Sequence, residues 1–169
     1  MISTTPSGNS PFASGASGTN RWFSLRAVLF DWSGTLSPVI AQAPNELNEA
    51  CRRLRQAGCR LGVVSNISTD SLEAVLTEGG LRDHFDVVSG EAYDKPQALR
   101  QAVIELGLDP AAAMYVGDLA SDIEAGRRAG LQAGAVLTGF DRRQELERAK
   151  PDLLIPSILD LPAALGLKS

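Results

Sequence analysis

Several features are scarce in this chain of 169 residues. No apolar run approaches the roughly 20 residues a membrane-spanning helix needs, which predicts a soluble protein with no membrane partner. Basic residues do not exceed acidic ones: 16 Lys and Arg stand against 20 Asp and Glu, a net charge of −4. That balance is a poor match to nucleic acid or an anionic membrane, which both call for a basic face. Only two cysteines occur, Cys51 and Cys59, with no metal-ligand spacing and too few to make a disulfide framework. They read as reduced, buried small hydrophobes, which points to the cytoplasm. The single histidine, His84, sits in a link before Phe85 and reads as structural or solvent-facing, not as a catalytic base. The start lacks both the charged-then-apolar pattern of a secretory leader and the arginines of a mitochondrial one.

What is present is an α/β pattern. Residues 1–20 are almost all Ser, Thr, Gly, Pro and Asn and read as a disordered tail, leaving 21–169 as one domain. Short apolar runs at 26–31, 60–65, 85–88, 113–116, 132–137 and 153–155 read as strands. Helical patterns cover 45–57, the stretch from Asp70 to Gly79, 96–106, 121–129, 141–149 and 157–165. Asp70 and Glu73 have capping-box spacing, and Gly58, Gly79-Gly80 and Gly107 read as helix stops. Strands apolar on both faces, alternating with helices, predict a three-layer α/β/α sandwich around a mostly parallel, Rossmann-like sheet. Ligands of such sheets bind outside the carboxyl ends of the strands.

The polar residues at those ends form a coherent set. The first strand runs into Asp31-Trp32-Ser33-Gly34-Thr35, the second into Ser65-Asn66, and the fourth into Gly117-Asp118, with Asp122 four residues later. Lys95 precedes the helix opened by Pro96, and the other lysines, Lys150 and Lys168, are near the C-terminus. Carboxylates with a lysine and a hydroxyl make an oxygen-rich site suited to Mg²⁺ and a substrate phosphate. Metal between the carboxylates would let an anionic phosphate approach a carboxylate nucleophile. Lys95 and the Ser65 hydroxyl would hold phosphoryl oxygens as charge builds.

Asp31-Trp32-Ser33-Gly34-Thr35-Leu36, Ser65, Lys95-Pro96 and the segment Gly117–Gly130 (GDLASDIEAGRRAG) together resemble, in order, the four motifs of the haloacid dehalogenase superfamily. The resemblance spans about residues 25–165 and implies a phosphatase working through an aspartyl-phosphate. It implies that Asp31 is the nucleophile and a Mg²⁺ ligand, and that Ser33 lends its backbone carbonyl to the metal. It further implies that Ser65, Asn66 and Lys95 bind the phosphoryl group, that Asp118 ligates the metal, and that Asp122 binds metal water or orients Lys95.

Two departures shape the expectation. Most phosphatases of the superfamily carry a second aspartate two residues after the nucleophile, where this chain has Ser33. A hydroxyl is a poor acid or base near neutrality, so hydrolysis of poor leaving groups is expected to be slow. The segments that carry caps in the superfamily, 37–60 and 66–94 here, are too short for a lid domain. Capless members act on macromolecules or close the site with a neighbouring subunit. The substrate is therefore a phosphorylated small molecule or macromolecule, and a homo-oligomer is compatible. The rival readings are a slow or non-catalytic phosphate-binding regulatory domain, a phosphoryl transferase, and a phosphonate-cleaving hydrolase. The last requires a Schiff-base lysine from a cap, and no lysine lies between Leu36 and Leu61.

Overall fold

The computed structural model describes residues 20–168. The strands are β1 (Ala27–Phe30), β2 (Arg60–Val64), β3 (Val87–Ser89), β4 (Ala113–Gly117), β5 (Gln132–Val136) and β6 (Leu153–Ile155). They form one sheet in the order β3-β2-β1-β4-β5-β6, and all five pairings are parallel. The helices are α1 (Ser37–Gln42), α2 (Pro44–Gln56), α3 (Thr69–Glu78), α4 (Lys95–Glu105), α5 (Ala120–Arg128), α6 (Arg143–Arg148) and α7 (Leu161–Ala164).

Each face of the sheet is covered, which is why β1 is buried at every residue. Val28 and Phe30 point to a core shared with Leu47, Cys51 and Leu54 of α2, Leu72 and Leu76 of α3, and Leu161 of α7. Ala27 and Leu29 point to the opposite core, with Leu99 and Val103 of α4, Tyr115 and Ala125. This is the expected three-layer sandwich. Both cysteines are free and buried, and burial pushes each thiol up to about 12. No helix among the described residues is long and apolar enough to cross a membrane.

The differences from the sequence reading are local. Asn20, expected in the tail, donates from its side-chain amide to the Leu165 carbonyl at 2.8 Å and so belongs to the folded part. The remainder of the expected tail, residues 1–19, lies outside the described residues. The cap of α3 is Ser68, whose Oγ accepts from the Ser71 amide at 3.1 Å. Glu73, expected to complete a capping box with Asp70, pairs instead with Arg82 at 2.5 Å. The strand expected from Phe85 starts at Val87. Helix α1 between Leu36 and α2 is an addition, and the last helical stretch is a 3₁₀ turn (Ile158–Asp160) followed by α7. The segments between β1 and β2 and between β2 and α4 hold α1, α2, α3 and β3, and these pack into the sandwich itself.

The strand order reverses direction at β1 and β4, where the crossover through α4 returns across the sheet. Asp31 and Asp118 follow directly on these two adjacent strands.

Candidate active site

The β1–β4 register sets Phe30 beside Val116, and the Asp31 amide then donates to the Val116 carbonyl at 2.9 Å. Asp31 thereby leaves the sheet at the floor of the crevice. After it the chain turns through Ser33 and Gly34, and Gly34 has φ +75°. A Cβ at Gly34 would lie 2.3 Å from Asp118 Oδ2, so glycine there satisfies both the backbone and the space. Trp32 points into the core with Val28 and Phe30.

Asp31, Asp118 and Asp122 are all buried, and each places a carboxylate oxygen within 4.8 Å of the others. Lys95 lies among them, with Nζ 2.5 Å from Asp122 Oδ1 and 3.5 Å from Asp31 Oδ1. The other oxygen of Asp122 accepts the Leu119 amide at 3.1 Å, so both its oxygens are engaged. Burial and the neighbouring Asp122 push the Asp31 carboxyl up to about 6, against the opposing pull of Lys95. Burial likewise raises Asp118, with the Phe140 amide opposing. Burial disfavours the Lys95 charge, but Asp122 and Asp31 outweigh it and raise the ammonium.

Ser65 follows β2 and is fully buried, and its Oγ has no hydrogen-bond partner among the described residues. A buried hydroxyl is seldom left unpaired, and this one stands at the sheet edge where ligands bind. Asn66 and Lys95 line a cleft of about 860 Å³ together with Asp31, Ser33 and Asp118. Of the residues picked from the sequence, Asp31, Asp118, Asp122 and Lys95 meet in one cluster, an exposed Ser33 and Asn66 line the same cleft, and Ser65 follows β2 at the same edge of the sheet. His84 is remote from this cleft and contacts Asn48 of α2.

The sequence reading missed the loop after β5. The Phe140 amide donates to Asp118 Oδ2 at 2.9 Å, and the Thr35 hydroxyl donates to Asp118 Oδ1 at 3.3 Å. The Thr138 hydroxyl donates to the Gly34 carbonyl at 2.8 Å. Asp141, expected to open the next helix, accepts from the Ala120 amide at 2.7 Å and so caps α5, and α6 begins at Arg143. Gly139 lies so near that a Cβ there would come within 2.0 Å of Asp118 Oδ2. The available signal was the strand-end rule itself, applied to β1, β2 and β4 but not to β5.

Three buried carboxylates facing one ammonium leave an excess of negative charge in a desolvated place, which is costly unless a cation shares it. The donors are hard oxygens, so the cluster fits a divalent metal ion.

A model of haloacid dehalogenase-like hydrolases matches residues 40–130, more than half of the chain. The chain belongs to this hydrolase family. Among curated proteins, a phosphoglycolate phosphatase of Synechococcus elongatus is 44% identical over 115 residues, covering 67% of this chain and 54% of its own length. A pyrophosphatase PpaX of Bacillus velezensis is 31% identical over 125 residues, 71% of this chain and 58% of that one. This chain spans a little over half the length of these two relatives. Among solved structures, a haloacid dehalogenase-like protein of Streptococcus pneumoniae superposes with a TM-score of 0.72 at 17% identity, over 83% of this chain and 98% of that one. That likeness is one of fold.

Proposed function

We propose that this chain is a Mg²⁺-dependent phosphomonoester hydrolase that works through an aspartyl-phosphate on Asp31. The observation that carries the reading is Asp31 itself, a buried carboxylate at the end of the central strand with Lys95 Nζ 3.5 Å away. The names of the relatives, phosphoglycolate phosphatase and pyrophosphatase, agree with phosphoryl chemistry.

In the first step an Asp31 carboxylate oxygen bonds to phosphorus while the ester P–O bond breaks, its electron pair leaving on the alcohol oxygen. In the second, a water oxygen attacks that phosphorus and gives up a proton to solvent, the bond between the Asp31 oxygen and phosphorus breaks with its electron pair returning to the carboxylate, and inorganic phosphate leaves. The unpartnered Ser65 hydroxyl donates to one phosphoryl oxygen, Asn66 borders the same place, and Lys95 holds another oxygen as charge builds. Asp122, with both oxygens engaged, keeps Lys95 in position. Asp31, Asp118 and the Ser33 backbone carbonyl would hold Mg²⁺, with Asp122 behind them. When bound, the ion offsets the carboxylate charge and polarises the phosphoryl group. Ser33 offers no useful acid, so the leaving oxygen takes its proton from solvent and poor leaving groups depart slowly. A cytoplasmic setting accords with the free thiols of Cys51 and Cys59.

Phosphate release from a broad phosphomonoester panel with Mg²⁺, run beside Asp31→Asn, tests the reading. Release by the parent and none by the variant is expected, and equal release by both overturns the covalent step. Ser33 favours a second reading, a regulatory domain that binds metal and phosphate without turnover. That reading predicts binding of both and no release from any substrate.

A further inference from the structure

Phe140 and Tyr93 are the most exposed large hydrophobic side chains among the described residues, at 85% and 82%. Phe140 lines the cleft that holds Asp31, Ser33 and Asp118. Tyr93 lines an adjoining cleft of about 730 Å³, and the two clefts share Asn66, Lys95, Leu119 and Ser121. One exposed ring thus lines the cleft of the reacting groups and the other lines the cleft that adjoins it. A ring left in water forgoes the stabilisation that burial would give, and here two do so beside one site.

The backbone that carries Phe140 is tied down. Its own amide is bound by Asp118, Thr138 before it is tied to the Gly34 carbonyl, and Asp141 after it is tied to the Ala120 amide. A loop fixed in this way spares a ligand the cost of ordering it, leaving only the ring's own rotation to be restricted.

Charge narrows what that ligand can be. The ionisable side chains lining the catalytic cleft are Asp31, Asp118, Asp141 and Lys95. Lys95 is already engaged by Asp122 and Asp31. A leaving group with its own carboxylate or second phosphate would meet Asp141 and, among the described residues lining this cleft, no uncommitted cation, a like-charge contact that costs affinity. Arg128 lines the adjoining cleft, but Asp94 and Glu124 line it too. The substrates named for the relatives, phosphoglycolate and pyrophosphate, both carry such a second anionic group.

We propose that Phe140, with Tyr93 of the adjoining cleft, contacts the leaving group, and that the substrate is a phosphomonoester whose leaving group is uncharged and carries an apolar or ring body. This rests on the phosphoryl site proposed above.

The test uses the full chain with Mg²⁺ and calorimetric binding of three ligands that need no turnover: inorganic phosphate, phenylphosphonate and phosphonoacetate. Phenylphosphonate is expected to bind more tightly than phosphonoacetate. Phe140→Ala should lower the phenylphosphonate-to-phosphate affinity ratio by about five- to tenfold, the scale of one lost ring contact. Phe140→Trp should keep the ratio, which separates a ring contact from loop damage. If phosphate binds but phosphonoacetate matches or exceeds phenylphosphonate, the inference is overturned and the phosphoryl site stands. The same holds if Phe140→Ala leaves the ratio unmoved, including the case where it changes the mass in solution and so marks a subunit contact. If none of the three ligands binds, the phosphoryl site itself fails and the inference with it.

Discussion

The Tyr115 hydroxyl donates a 2.9 Å hydrogen bond to the Val64 carbonyl. Tyr115 belongs to β4 and Val64 to β2, so the bond bridges the two strands flanking β1, immediately before Ser65. Lys95 Nζ stands 5.8 Å from the same ring. Tyr115→Phe keeps the ring and deletes the bond, and should lower stability by about 1 kcal/mol, read by urea unfolding. Tyr115→Leu should cost more, because it also removes ring volume and the contact with Lys95. A phenylalanine variant as stable as the parent would show that the bond has no net worth.

Metal stabilisation should depend on pH in a defined direction. The folded value of Asp31, about 6, lies above its ordinary 3.8. A carboxyl raised on folding contributes stability that is present below 3.8 and lost as pH rises through about 6. The metal-free protein is therefore disfavoured by this group at pH 7, where a cation has most to offset. Below pH 6 protons compete for the same oxygen. The rise in melting temperature on adding Mg²⁺ should be larger at pH 7 than at pH 5. Equal rises at both values would argue against Asp31 as a ligand.

Gly139→Ala tests the grip on Asp118. The added Cβ would stand 2.0 Å from Asp118 Oδ2, so the loop or the carboxylate must shift. Groups that orient a metal ligand typically matter by about 10–100-fold in metal affinity, and a loss on that scale is expected in a Mg²⁺ titration. Unchanged affinity in a folded variant would mean the loop yields freely.

Lys95→Met should reduce phosphate release by about 10²-fold or more, since it removes the only cationic side chain among the described residues that line the candidate cleft. Steady-state rates, compared with thermal unfolding of the same variant, separate lost chemistry from lost folding.

Ser33→Asp should accelerate hydrolysis of poor leaving groups, towards the roughly 10²–10⁴-fold that positioned acid–base catalysis supplies. The position is exposed at the cleft mouth, so a carboxyl can be placed there without burial. No gain in a folded variant would place the rate limit elsewhere.

The fold and the site were legible to different depths. The central strands announce themselves because burial on both faces demands unbroken apolar runs, as in β1 and β4, and even the half-buried edge strand β6 matches the sequence reading of 153–155 residue for residue. Asp31, Asp118, Asp122 and Lys95 were legible because each follows a strand or opens a helix at the ligand edge of the sheet. Helix starts were less legible where several capping residues compete, as Ser68 and Asp70 do before α3. Nothing in the sequence marks Tyr115, since its bond to Val64 exists only once β1 lies between the two strands. The same is true of Thr35 and the loop around Phe140, whose meeting point on Asp118 is a product of the sheet order.

That sheet order also governs when the site can exist during synthesis. Strand β1 pairs on one side with β2, which follows soon after, and on the other with β4 at Ala113–Gly117. A chain emerging from the ribosome can settle β1 against β2 early, while the flank that faces Asp118 waits for β4. Until then Asp31 has neither Asp118 nor Asp122 beside it, and Lys95 lacks its 2.5 Å partner. The candidate site is thus completed late: Asp31 and Ser65 can meet once β1 and β2 pair, but the three-carboxylate cluster closes only after β4 and α5 are made.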